Sequence, residues 1–327
     1  MRWFKMTALA FAWLTAAVSW PMGADALAAP ARAEAAAPAS TAHSDGCVTR
    51  ALVLGGGGAT GRAWEVGLLK GLRDLGVDLT EADLIIGTSA GSVLGTRLRA
   101  GQSLDTLYQA MLAPPSAPAV APAHAVDAAY FQETMSLWAG RDTSPALRIE
   151  VGRRALAAPH VLSEEAAVQQ RAATLGTEWP SRPLQITAVD VEDGTTRLID
   201  RSQGVPLARA VAASTALPGL MAPVSIGDRR YMDGGVGGTH LDAAIGYGLV
   251  VGVTPSAGPT TAREIEQTRA AGSRVLNFAP DEAAREAPGA DSRDPSRLAA
   301  TAEAGLRQAR AVSAELGPVW RDLPRCG

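Results

Sequence analysis

Two glycine-flanked turns hold the residues best suited to covalent chemistry. In "GTSAG", residues 87–91, Ser89 lies between Gly87 and Gly91, where the apolar run "DLII" meets a helical pattern. A sharp strand-to-helix turn forces such a serine into a strained, exposed position, and glycines on both sides give clearance. The helix N-terminus behind it favours negative charge. Ser92, one position past the motif, is the weaker nucleophile. In "MDGGVGG", residues 232–238, Asp233 follows the strand-like "RRYM" and precedes Gly234 and Gly235. Taken alone, Asp-Gly-Gly favours an ordinary turn.

A third element is the run of four glycines in "VLGGGGATGRAW". A phosphate-binding loop would continue into Lys-Ser or Lys-Thr, and none follows. A dinucleotide fingerprint is formally present from Gly56 to Gly61, but the acidic residue expected about twenty positions on is missing. The remaining reading is an oxyanion hole in which peptide N–H groups at Gly57 and Gly58 face a developing negative oxygen. Each such donor is typically worth about 2.7–4 kcal/mol in the barrier. A histidine base has no motif support among His43, His124, His160 and His240. Asp233 and His240 are also too close in sequence to sit on two separate loops of a triad.

Together the motifs resemble the patatin-like phospholipase family. The resemblance rests on "GGGGATG" (55–61), "GTSAG" (87–91) and "DGG" (233–235) in that order, with "TAVDVEDGTTRLI" (187–199) and "AVAASTALPGLMAPV" (210–224) between. It implies a three-layer α/β/α fold, a Ser–Asp dyad of Ser89 and Asp233, an oxyanion loop of Gly56, Gly57 and Gly58, and acyl-ester hydrolysis through an acyl-enzyme. It implies no metal or other cofactor. Gly61, Gly87, Gly91, Gly234 and Gly235 flank these motifs. One position departs: where the family commonly has a basic residue, this chain has Thr60, and whether Arg62 replaces it is open at the level of sequence. That departure leaves a second reading, a catalytically impaired lipid- or acyl-binding protein that keeps the fold.

The elements that must position these residues alternate. Residues 49–55, 82–87, 184–191, 248–255 and 273–280 read as strands. Residues 62–75, 90–100, 206–214, 261–271 and about 295–316 read as helices, which predicts an α/β fold on a mainly parallel sheet. Asp193-Gly194 reads as a hairpin turn. Residues 104–175 break the rhythm as a helical insertion or cap, with helical stretches at 127–139 and 163–175. Its Tyr130, Phe131, Met135, Leu137 and Trp138 fit either a lipid-facing mouth or ordinary core packing.

The chain has 327 residues, of which 47% are hydrophobic and 19% charged, enough for a large core and unlike a disordered chain. Residues 1–28 read as a signal peptide, with Arg2 and Lys5 ahead of a 15-residue apolar run, too short for a typical span of about 20 residues. Residues 29–46 are an Ala/Pro-rich leader, and residues 47–327 the catalytic domain. The expected location is therefore outside the cytoplasm, secreted or in the cell envelope. Loss of residues 1–28 takes the formal charge from −3 to −4, which gives no reason to expect nucleic acid as a partner. The expected partner is a lipid or acyl ester at a membrane or lipid interface. Cys47 and Cys326 bracket the domain and form a candidate disulfide.

Overall fold

Strand β1, Arg50–Leu54, is buried at every position and lies between two parallel neighbours, β2 (Leu84–Thr88) and β7 (Leu249–Val253). A strand flanked on both edges and covered on both faces is apolar along most of its length, here Ala51 to Leu54, while the buried Arg50 donates to the Leu323 carbonyl. The side-chain period of two then divides its residues between layers. Leu52 and Leu54 face the larger core, whereas Ala51 and Val53 join Leu241, Ala244 and Val250 on the opposite face.

In the computed structural model, residues 47–114, 127–139, 144–159, 161–289 and 291–324 are described. The expected signal peptide and leader, His43, His124, His160 and Cys326 lie outside the described residues. The hydrogen-bonded path through the sheet runs β5 (Val224–Ile226), β6 (Arg229–Asp233), β3 (Leu184–Asp190), β2, β1, β7, β8 (Arg274–Phe278), with β4 (Thr196–Ile199) also on β3. The pairs β1–β2, β1–β7, β2–β3 and β7–β8 are parallel; those of β3 with β4 and β6, and of β5 with β6, are antiparallel. The fold is α/β with a mixed sheet between helical layers.

The helices follow in chain order: α1 (Gly58–Asp74), α2 (Ala90–Arg99), α3 (Leu104–Leu112), α4 (Ala128–Trp138), α5 (Pro145–Ala157), α6 (Glu164–Leu175), α7 (Leu207–Ser214), α8 (Pro259–Ala270), α9 (Glu282–Glu286) and α10 (Leu298–Asp322). Helix α1 begins four residues before the expected start, inside the glycine run. Apolar residues locate the buried face of a helix but not its first turn, which here is glycine, alanine and threonine. Helix α10 runs past the expected end through Pro318. Where described, residues 104–175 contain three capped helices beyond α3; Asp127, Ser144 and Ser163 each accept a first-turn N–H. Helix α5 was not singled out by periodicity because its buried residues are few, Val151, Gly152 and Ala155.

Helices α1 and α10 pack closely enough that a Cβ on Gly67 would fall 1.9 Å from the Ala302 carbonyl oxygen. Trp64 donates across the same interface to Gln308 Oε1 at 2.9 Å. At the termini Val48 N–H donates to the Pro324 carbonyl at 2.9 Å, beside Cys47, which is disulfide-bonded. Among the described residues no helix is long and apolar enough to cross a membrane.

Candidate active site

The glycine run follows β1 and Ser89 follows β2, so both lie at the carboxyl ends of adjacent parallel strands, where open α/β sheets bind ligands. Ser89 has φ 51° and ψ −117°, a backbone region that L-residues rarely occupy. It is held there by packing that only glycine permits. A Cβ on Gly87 would lie 2.6 Å from Ser92 Cα, and one on Gly91 would lie 2.3 Å from the Leu54 carbonyl oxygen. Ser89 N–H donates to Ser214 Oγ at 2.9 Å, while Ser92, fully buried, donates its hydroxyl to the Ser89 carbonyl at 2.6 Å. Ser92 is thus committed to holding the turn.

Asp233 ends β6 and is 2% exposed. Its Oδ2 accepts from Ser89 Oγ at 2.6 Å, and its Oδ1 accepts from Gly235 N–H at 2.8 Å. Burial pushes the carboxyl up to about 6; the bonds from Ser89 and Gly235 and the charge of Arg171 offset part of that rise. The group is therefore a better base than an exposed aspartate and still ionised at neutral pH.

Gly56, Gly57 and Gly58 line the same cavity as Ser89 and Asp233. Gly55 N–H is committed to the Val253 carbonyl at 2.9 Å, whereas no acceptor among the described residues takes the N–H of the next three glycines. Gly58 has φ 66°, and a Cβ there would sit 2.8 Å from Ser292 Oγ, so the loop closes down on Ser292. Thr60 does not face the cavity as a basic residue would. It is buried, and both its N–H and its hydroxyl donate to the Ser292 carbonyl, at 2.9 and 3.1 Å. Arg62, two residues further along α1, does line the cavity.

His240, the one described histidine, is not among the residues that line the cavity with Ser89. It is buried with φ 62°, and its Nε2 lies 2.8 Å from the Gly234 carbonyl, so Nε2–H is the donor. His240, Asp242 and Glu264 bring ligand-type atoms within 4.8 Å of one another. However, Glu264 accepts from the N–H groups of Thr239 and Leu241 and from the Thr239 hydroxyl. This group clamps the loop that follows Asp233.

The cavity has a volume of about 410 Å³, within the usual range of about 300–1,000 Å³ for small-molecule sites. Met135 and Trp138 of α4, with Leu217, Leu220 and Met221, form an apolar wall; Thr239, Ser256, Thr260, Thr261 and Ser292 supply hydroxyls. Of the aromatic and apolar residues expected in the insertion, only Met135 and Trp138 reach the cavity. Phe131 is buried in packing, and Leu137 packs with Trp138 against Val189 and Met232. Sequence reasoning missed Arg171, Ser214 and Thr215. Arg171 donates through Nε and Nη2 to Thr215 Oγ1, at 3.3 and 3.2 Å, and nothing local in "VQQRAATL" marks it.

A family model described as patatin-like phospholipase matches residues 52–245, more than half of the chain. The chain belongs to the patatin-like phospholipase family. This patatin-like chain is therefore a lipid hydrolase by family, and the matched span contains the glycine loop, Ser89, Asp233 and His240. Among solved structures it is similar to VipD from Legionella pneumophila, at 14% identity and a TM-score of 0.42, over 82% of this chain and 67% of that one. It is also similar to the type III effector protein ExoU, at 18% identity and a TM-score of 0.31, over 80% of this chain and 53% of ExoU. The patatin-like chain thus spans about half the length of ExoU. No curated protein matches it.

Proposed function

We propose that this patatin-like chain hydrolyses acyl esters of lipids with Ser89 as nucleophile and Asp233 as its base. The observation that carries the reading is the 2.6 Å bond from Ser89 Oγ to a buried carboxylate. In the first step Asp233 takes the hydroxyl proton as Ser89 Oγ bonds to the ester carbonyl carbon. The carbonyl electron pair moves to oxygen, which accepts N–H groups of the glycine loop. Collapse breaks the ester C–O bond, and Asp233 returns the proton to the departing alkoxide. In the second step water attacks the acyl-enzyme and gives its proton to Asp233. Collapse then frees the carboxylic acid and restores the Ser89 hydroxyl. The apolar wall of Met135, Trp138, Leu217, Leu220 and Met221 accommodates an acyl chain.

Export belongs to the same reading, and the disulfide-bonded Cys47 supports it because such bonds persist in oxidising compartments. A p-nitrophenyl acyl ester and a fluorophosphonate probe test the chemistry on the full chain. Ser89→Ala should reduce turnover by about a thousandfold or more. The intact protein should carry the probe on Ser89 alone. Turnover retained by a folded Ser89→Ala protein would remove the assignment.

A further inference from the structure

The loop that follows Asp233 holds a second group of chemically able side chains, which the dyad does not use. His240, Asp242 and Glu264 each bring one ligand-type atom within 4.8 Å of the others. His240 and Asp242 stand at the start of a short 3-10 turn, Leu241–Ala244, and Glu264 stands in the middle of α8. None of the three lines the cavity of Ser89, although Thr239, Thr260 and Thr261 beside them do.

The histidine gives the group its direction. His240 is 4% exposed, and its ring is seated so closely that a Cβ on Gly237 would fall 2.7 Å from Cε1. Nε2 lies 2.8 Å from the Gly234 carbonyl, which can only accept, so Nε2 carries the hydrogen. In the neutral ring Nδ1 then holds a lone pair and no hydrogen. No donor among the described residues takes that lone pair. Metal-binding histidines are held in this way: the nitrogen away from the ion donates to a carbonyl or carboxylate, which fixes the tautomer and the ring plane.

Both acids keep room for a cation. Glu264 Oε1 accepts the Thr239 N–H, while Oε2 accepts the Leu241 N–H and the Thr239 hydroxyl. These bonds clamp the loop and fill three of about four lone-pair positions, so Oε1 keeps one. Asp242 reaches solvent, and its carboxylate makes no hydrogen bond among the described residues. No lysine or arginine there pairs with either acid. Two carboxylates and a lone pair gathered this closely repel, and a divalent cation between them turns that repulsion into attraction.

We propose that His240, Asp242 and Glu264 bind one divalent transition-metal ion of the Zn²⁺ type, through His240 Nδ1 and one oxygen of each acid. One imidazole and two carboxylates suit Zn²⁺, whereas Ca²⁺ and Mg²⁺ favour oxygen ligands throughout. The ion ties α8 to the loop behind Asp233, through His240 and its bond to the Gly234 carbonyl. Its expected effect is on the stability of that loop. The inference goes beyond the hydrolase reading and stands whether or not Ser89 is the nucleophile.

The full chain, freed of metal with EDTA and dialysed, is titrated by calorimetry with ZnCl2, and separately with CaCl2 and MgCl2. One equivalent of Zn²⁺ should bind, about tenfold or more tighter than Ca²⁺ or Mg²⁺. Zn²⁺ should also raise the melting temperature. Asp242→Asn should weaken Zn²⁺ binding about tenfold or more and shrink the melting shift. The Asp242 side chain takes no part in the clamp, so this variant decides the question even where His240→Gln does not fold. Absence of both the Zn²⁺ heat and the melting shift overturns the proposal. Zn²⁺ binding unchanged by Asp242→Asn also overturns it, because the ion would then sit elsewhere on the chain. Ca²⁺ binding as tightly as Zn²⁺ does the same, since that is the behaviour of two carboxylates without the imidazole.

Discussion

Thr88 and Asp233 occupy consecutive places along one edge of β3: Thr88 stands opposite Thr187, and Asp233 opposite Ala188. The register requires this, because Thr187 and Ala188 both pair with β4 on the other edge. Strands β2 and β6 therefore meet end to end, and the residue after Thr88 is Ser89. Thr187 Oγ1 donates to Thr88 Oγ1 at 2.8 Å at this junction, and a Cβ on Gly234 would fall 2.3 Å from the same Thr187 oxygen. Gly234→Ala should destabilise the protein by about 1–3 kcal/mol, the usual magnitude of overpacking. It should also lower kcat/KM by moving Asp233. Urea unfolding and p-nitrophenyl ester kinetics read both effects, and wild-type values in both would show that the junction tolerates a methyl group.

The pH dependence follows from Asp233, whose carboxyl is raised from 3.8 to about 6 by burial. Only the ionised form accepts the Ser89 proton, so kcat/KM should rise with pH through about 6 and level off above it. Stability runs the other way. Between 3.8 and about 6 the folded state holds the proton and the unfolded state has lost it, so this group's contribution falls as pH rises through that window. Asp233→Asn should abolish activity and stabilise the fold by on the order of 1–3 kcal/mol at pH 8, with no gain at pH 4. Urea melts at the two pH values test the sign; a variant less stable at pH 8 contradicts it.

Ser214 ends α7 and accepts the Ser89 N–H at 2.9 Å, fixing the peptide of a residue in a strained conformation. Ser214→Ala leaves that N–H without its acceptor, at a cost of about 1–3 kcal/mol. The expected result is a lower melting temperature together with slower fluorophosphonate labelling of Ser89. An unchanged labelling rate would assign Ser214 to packing alone.

His240→Ala should destabilise the loop after Asp233 by about 1–3 kcal/mol, since the Gly234 carbonyl loses its buried donor. Turnover should persist below the melting temperature, because the ring contacts Gly234 and not Ser89. Complete loss of hydrolysis in a folded variant would argue for a histidine in the proton path.

Much of the fold was legible because the relevant physics is local. Buried parallel strands are apolar over most of their length, helices carry a periodic buried face, and Asp193-Gly194 turns β3 into β4. Boundaries were less legible. Glycine, alanine and threonine at 58–61 carry no periodic signal, so the start of α1 was placed late. The few buried residues of α5 left it unrecognised.

By itself the sequence determined which residues are chemically competent and that each sits on a turn: glycines at 55–58, Ser89 between two glycines, Asp233 before two more. It also determined that this set resembles one family. Only the tertiary structure brought Ser89 and Asp233 to 2.6 Å across 144 positions, because strand register on β3, not local propensity, sets where two chain ends meet. Only there does the carboxyl become buried enough to rise to about 6. Arg171 was invisible for the same reason: it reaches the cavity only where its guanidinium meets the Thr215 hydroxyl.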